Sequence, residues 1–121
     1  MPDYTEKPKN WRDLPPGELA AFMNRKAEGY LPALLGFTLT SVTKDRVTAR
    51  MEIRKHHLAP NDYLHAASVI TLADTVCGMA TIVNLPEGAG GFTTIELKTN
   101  FLGTTRDGAI LCEGRPAHIG R

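Results

Sequence analysis

One long apolar segment constrains the fold of this chain more than any other feature. Residues 66–85 read AASVITLADTVCGMATIVNL, and their only ionisable groups are the Asp74 carboxyl and the Cys77 thiol. A helix that is apolar around its whole circumference is normally enclosed by other elements on every side. Because removing water from a carboxylate costs several kcal/mol or more, an acid in such a helix is rarely buried without a partner. Asp74 is therefore predicted to be neutral, compensated or kept for chemistry.

Composition excludes several classes of function. The chain has 121 residues and a formal net charge of +1, with no basic stripe, which argues against nucleic acid or an anionic membrane as partner. Asp74 interrupts the apolar segment, so we interpret it as a core helix and not as a membrane span. The N-terminus has no apolar signal sequence, and Cys77 and Cys112 lack metal-binding spacing. We expect a cytoplasmic protein with reduced thiols and no metal.

The remaining pattern predicts an α+β fold in a single domain over residues 1–121, with residues 1–13 as a flexible lead. A helix is expected from Pro15 to about Glu28, where apolar side chains recur at helical spacing. Alternating apolar residues predict four strands, over residues 35–42, 46–54, 92–102 and 109–119. This order indicates an antiparallel sheet wrapped around the long helix. Since such a sheet would need more than four strands, we expect that C-terminal strands are missing from this sequence.

The start of the long helix is a second candidate site. His65 lies nine residues before Asp74, roughly 13 Å along a helix axis, so Asp74 cannot cap the helix. The N–H groups of Ala66 and Ala67 are expected to be unpaired, and together with the helix dipole they could polarise a carbonyl group. Asn61 adds a polar side chain at the same mouth. A carboxylate facing the helix start of another subunit would meet the needs of acyl transfer to water.

The segment APNDYLHAASVITLADTVCG resembles the signature of the hotdog-fold acyl-CoA thioesterases, particularly the PaaI-like type of the phenylacetate pathway. That family has an Asn–x–x–Gly–x–Leu–His–Gly–Gly segment and an acidic residue nine positions after the histidine. The strand GFTTIELKTNFL and the terminal HIGR resemble two further blocks of the family, in the same order, so that the match spans residues 35–121. The resemblance implies a hotdog fold, dimers often paired into homotetramers, and hydrolysis of acyl-CoA thioesters without metal or cofactor.

The resemblance also implies catalytic roles. Asp74 would be the nucleophile or general base, and Ala66 would donate its backbone N–H to the thioester oxygen. His65 and Asn61 would position the substrate or the water. Thr94 would place a hydroxyl near the attacking water, usually across a subunit interface.

Substrate binding is implied for Ala67, Gly120 and Arg121, of which the last two would lie near the CoA nucleotide. The chain departs from the family where Ala66-Ala67 replaces the Gly–Gly pair and where Asp62-Tyr63 stands in place of the glycine before Leu–His. Both changes are expected to narrow the mouth of the site. The family also continues past His–x–Gly–Arg through two more strands.

Structural explanations and other functions remain open at this point. Asp74 could bind a helix hydroxyl of Thr71 or Thr75, His65 could cap the helix, Asn61 could form a turn, and Thr94 could be an ordinary strand residue. Cys77 is expected to fill the core. Other functions are a hotdog hydratase or dehydratase, a non-catalytic acyl-CoA-binding module, and an inactive truncated product.

Overall fold

The computed structural model describes residues 10–120, so most of the predicted flexible lead and Arg121 lie outside the described residues. Within that range the elements follow the order α1 (Pro16–Lys26), α2 (Leu31–Leu34), β1 (Phe37–Val42), β2 (Val47–Glu52), α3 (Ala66–Asn84) and β3 (Ala109–Gly114). Short 3-10 helices cover Trp11–Asp13 and Lys55–His57. Trp11, in the described part of the lead, is buried against Phe22 with 5.7 Å between ring centroids.

The three strands form one antiparallel sheet in the order β1-β2-β3. Val47 pairs with Val42 of β1 on one side and with Gly114 of β3 on the other. The buried side chains of β2 alternate along the strand, as the sequence pattern requires for a sheet with one covered face. α3 contacts all three strands and α1 contacts β1. The predicted α+β class, α1 and the β1–β2 hairpin are therefore confirmed.

α3 packs one face on the sheet, and its opposite face is only partly covered. Its inner face carries Ser68, Leu72, Val76, Ala80 and Val83, which are all buried, at the spacing of three and four residues that keeps side chains on one side of a helix. Its outer face includes Asp74, which is half-buried. The expectation that the helix is enclosed on every side is therefore wrong for the described residues. α3 is long and apolar enough to cross a membrane by length and composition, but its inner face here packs on the sheet.

The predicted strand over residues 92–102 is not a strand in the structure. Its alternating pattern is present, but a strand forms only where a neighbour completes its backbone hydrogen bonds. No such neighbour pairs with it among residues 10–120, and Ile95 and Leu102 are 94% and 97% exposed. β3 likewise ends at Gly114, two residues before Pro116, which has no N–H for a ladder.

β3 passes very close to α3 at Gly114. A Cβ atom built on Gly114 would lie 2.7 Å from Cγ1 of Val76, a residue with no exposed surface. Because Val76 cannot move into solvent, we expect Gly114→Ala to lower the free energy of unfolding by about 1–3 kcal/mol in urea denaturation. Gly103→Ala is the control, since a Cβ there meets no atom within 4 Å. Equal losses in the two variants would contradict this packing.

Candidate active site

His65 caps the start of α3 with its side chain. Its backbone is extended, with φ −67° and ψ 133°, and its Nδ1 atom accepts a hydrogen bond of 2.9 Å from the Ala67 N–H. The Ser68 N–H donates to the His65 carbonyl at 2.9 Å. The expectation of an unpaired N–H is thus wrong for Ala67. Within residues 10–120 the N–H of Ala66 has no acceptor, and Ala66 is exposed. The Ala66 N–H is therefore available to an external acceptor at the helix start.

Asp74 and Thr94 are brought together on the outer face of α3. The Thr94 hydroxyl donates a hydrogen bond of 3.0 Å to Oδ1 of Asp74. Thr71, considered above as a partner of Asp74, instead donates to the Ala67 carbonyl at 2.7 Å. This hydrogen bond fixes the position of the Asp74 side chain, which is half-buried.

A glycine in α3, Gly78, leaves room for the segment that carries Thr94 to lie along the helix. A Cβ on Gly78 would lie 3.0 Å from Cζ of Phe92, so the Phe92 ring sits over this glycine. Thr94 meets Asp74 one helical turn nearer the start of α3. The four helical residues from Gly78 to Asp74 span about 6 Å, and the two extended residues from Phe92 to Thr94 span about the same length. Because residue numbers fall along one segment and rise along the other, the chain here runs antiparallel to α3. Sequence reasoning missed Phe92 and Gly78, although a glycine inside an apolar helix indicates a close approach of this kind.

The loop before α3 positions its start through a turn. Oδ1 of Asn61 accepts a hydrogen bond of 3.2 Å from the Tyr63 N–H, so Asn61 acts as a turn former. Asp62 has φ +65°, a left-handed conformation, at the position where the resembled family has glycine. The Arg106 guanidinium lies 4.2 Å from the centre of the Tyr63 ring. The Leu64 N–H also donates to the Thr105 carbonyl at 2.9 Å, which closes a second loop beside the same mouth.

The free N–H and the acid are well separated within one chain. Ala66 and Asp74 are eight residues apart on α3, which corresponds to roughly 12 Å along the axis. A carbonyl group bound by the Ala66 N–H of one chain is therefore out of reach of the Asp74 carboxylate of that chain.

A groove of about 360 Å³ lies farther along α3. It is lined by the end of α3 and by the residues after β3, among them Cys77, Thr81, Asn84, His118 and Gly120. Gly120 thus lies near the outer face of α3, whereas Arg121 is outside the described residues.

The two thiols differ in their surroundings. Cys77 is exposed, so the expectation that it fills the core is wrong, and the cause is again the incompletely covered outer face of α3. Burial, and to a smaller extent the nearby Cys77, raises the pKa of the Cys112 thiol. In the part of the chain that the structure describes, no three His, Cys, Asp or Glu residues converge on a metal position.

A second cavity, of about 330 Å³, begins beside the helix start. Its walls come from the beginning of α3, from β3 and from the loop before β3, with apolar side chains at Leu64, Val69, Leu72, Ile110 and Leu111. Leu64, one of its lining residues, is adjacent in sequence to His65. The apolar lining of the cavity therefore suits an apolar group.

Comparison with known proteins supports one family. The family model described as the thioesterase superfamily matches residues 61–121, which include His65, Asp74 and Thr94. PA1618 from Pseudomonas aeruginosa is 24% identical over 111 residues, which make up 92% of this chain and 74% of that protein. The crystal structure of a mutant thioesterase PA1618 has a TM-score of 0.79 to this chain, at 24% identity, and the match covers 84% of this chain and 73% of that one.

Two further structures are similar. Thioesterase HI1161 from Haemophilus influenzae has a TM-score of 0.78 at 22% identity, covering 84% of this chain and 71% of its own. A phenylacetic acid degradation-related protein from Ralstonia eutropha has a TM-score of 0.68 at 23% identity, covering 84% and 79%. These likenesses show the hotdog fold, as the sequence motifs predicted. With a family match over half of its length, the chain belongs to the thioesterase superfamily.

Proposed function

We propose that this protein hydrolyses acyl-CoA thioesters to the free acid and CoA, with Asp74 as nucleophile or general base. The observation that carries the proposal is the hydrogen bond of 3.0 Å from Thr94 to the Asp74 carboxylate on the outer face of α3. It leaves the second carboxylate oxygen of Asp74 available for a water molecule or a carbonyl carbon. Membership of the thioesterase superfamily supports hydrolysis as the reaction.

The helix start supplies the complementary group. The free Ala66 N–H would donate to the thioester oxygen, and the positive end of the α3 dipole would stabilise the negative charge that develops there. With Asp74 as general base, the carboxylate takes a proton from water, the water oxygen forms the C–O bond, the C–S bond breaks, and the CoA thiolate leaves and takes up that proton. With Asp74 as nucleophile, its carboxylate forms the C–O bond as the thiolate leaves, and a water molecule then hydrolyses the mixed anhydride, restores the carboxylate and supplies the proton for the thiol. Neither route requires a metal or a further cofactor. His65 orients this donor through its cap to Ala67.

The proposed site is shared between two subunits. Because Ala66 and Asp74 lie roughly 12 Å apart along one helix, a complete site needs the Asp74 of a second copy opposite the Ala66 of the first. A two-fold dimer would create two such sites, since each chain contributes one donor and one acid. We further propose pairing of dimers into tetramers and a cytoplasmic location, where the free cysteines would remain reduced.

The size and lining of the cavity beside the helix start support a proposal for which acyl groups the protein accepts. At about 330 Å³ and lined by Leu64, Val69 and Ile110, it suits a small aromatic or medium-chain acyl group in size and character. Gly120, in the groove near the end of α3, and Arg121 would contact the CoA nucleotide. We therefore expect phenylacetyl-CoA and octanoyl-CoA to be better substrates than palmitoyl-CoA.

A panel of acyl-CoAs tests the activity directly, with CoA release followed by a thiol reagent. We expect Asp74→Asn to lower kcat at least about 100-fold, because the amide cannot accept a proton or attack carbon. Thr94→Val should cause a smaller loss, because it removes one hydrogen bond to the acid. Glu18→Gln, at an exposed acid on α1, is the matched control and should keep wild-type activity. Turnover retained in Asp74→Asn would overturn the assignment, and tight binding without turnover in the wild type would favour an acyl-CoA-binding module.

Ala66→Pro tests the donor with little effect on the helix. Proline is well tolerated at the first helical position, and the extended His65 backbone suits a residue before proline. The substitution removes the Ala66 N–H, so we expect kcat to fall about 100-fold or more with the helical circular dichroism signal unchanged. An Ala66→Pro variant with wild-type kcat would exclude this N–H from the reaction.

Mixed dimers test whether the site is shared. Asp74→Asn and Ala66→Pro chains carrying different tags are co-expressed, and heterodimers are purified through both tags. If each site combines two chains, one of the two sites in a heterodimer has both groups intact, and turnover returns to about half of the wild-type value. A site formed within one chain predicts no recovery. That result would contradict the shared arrangement and leave the hydrolytic activity itself unaffected.

A further inference from the structure

His57 is a buried histidine outside the proposed active site, and its ring is bonded at both nitrogens. It is 1% exposed. Nδ1 accepts a hydrogen bond of 2.9 Å from the Arg54 N–H, and Nε2 lies 2.6 Å from the Leu35 carbonyl oxygen. A ring nitrogen that faces an N–H must accept, so the ring proton is on Nε2 and is donated to Leu35. The ring thereby connects the ends of β2 and α2.

The carbonyl group of the same residue is bonded to the start of α3. It accepts the His65 N–H at 2.9 Å and the Ser68 hydroxyl at 2.8 Å. A carbonyl oxygen has two lone pairs, so both are used. Ser68 is itself buried on the inner face of α3. His57 therefore holds the first turn of α3 at two points, one on each side of Ala66.

The Ala66 N–H lies in the middle of this arrangement. His65 is bonded to His57, Ala67 is bonded to the His65 ring, and Ser68 is bonded to His57. We infer that His57 is a positioning residue, which fixes the direction of the Ala66 N–H through its two carbonyl hydrogen bonds. The inference rests on the proposed function, because it assigns His57 a role in orienting the donor to the thioester oxygen.

A preorganised donor is effective because it need not move when charge develops on the oxygen. Small displacements of such a group reduce the rate steeply and alter substrate binding less. A residue that served only the stability of the fold would have a different effect. Its loss would lower the free energy of unfolding without changing kcat for the molecules that remain folded.

Ser68→Ala separates these two roles. It removes one hydrogen bond to His57 and leaves the His65 N–H in place, so the His57 carbonyl keeps a partner. We expect kcat to fall about tenfold with KM changed less than about twofold. Asn24→Ala is the control for lost stability, because Asn24 makes two hydrogen bonds of 2.9 Å to the Leu39 backbone at the β1 edge. The Asn24→Ala variant should have a lower free energy of unfolding and should retain wild-type kcat under conditions in which it remains folded.

Substitutions of His57 itself give a second measurement. His57→Gln keeps an amide that can donate to the Leu35 carbonyl, whereas His57→Leu does not. We expect the glutamine variant to retain more kcat than the leucine variant, again with little change in KM. If the leucine variant does not fold, the Ser68→Ala result decides alone. Wild-type kcat in Ser68→Ala, alongside an active wild-type protein, overturns the positioning role only. A wild-type protein that releases no CoA from any thioester overturns the proposed function and, with it, this inference.

Discussion

The packing of one stripe of α3 on the sheet determines the rest of this structure. Leu72 and Val76 are buried against the strands, and Gly114 allows β3 to approach Val76 closely. Asp74 is two residues from each of them, a rotation of about 200° around the helix axis. Once the apolar stripe is buried, the acid must therefore lie on the opposite face. The same apolar contact that stabilises the domain directs the carboxylate outward, where Thr94 meets it.

The two chemical features of α3 arise in different ways. The donor at Ala66 follows from helix geometry, because the first turn of any helix has N–H groups without intrahelical partners. The His65 ring accepts the N–H of Ala67, and the His57 carbonyl accepts the N–H of His65. Among the described residues, the N–H of Ala66 between them has no acceptor. The hydrogen bonding of the Asp74 carboxylate depends on tertiary packing, because its partner Thr94 lies in a segment without regular secondary structure. Within one chain these features stay apart because they lie two turns from each other along a rigid element.

Much of this arrangement could be predicted from local patterns. The limits of α1 and α3, the β1–β2 hairpin, the acid at position 74 and the family follow from periodicity, spacing and motif. The predicted strand over residues 92–102 was wrong, because alternation indicates which side chains share a face but does not supply a hydrogen-bonding neighbour. The contacts of His57 could not be predicted from local patterns, because its partners lie 22 positions earlier and 8 to 11 positions later in the chain.

By itself, the sequence determined that a long apolar helix carries one acid nine residues after a histidine, and that this order belongs to the thioesterase superfamily. These properties depend on residue type and spacing along one element. The tertiary structure alone decided which face of the helix is buried, that Thr94 is the partner of Asp74, and that Ala66 and not Ala67 keeps a free N–H. The physical reason is that burial and hydrogen-bond pairing depend on neighbours distant in the chain, which become specific only when the helix and the sheet pack together.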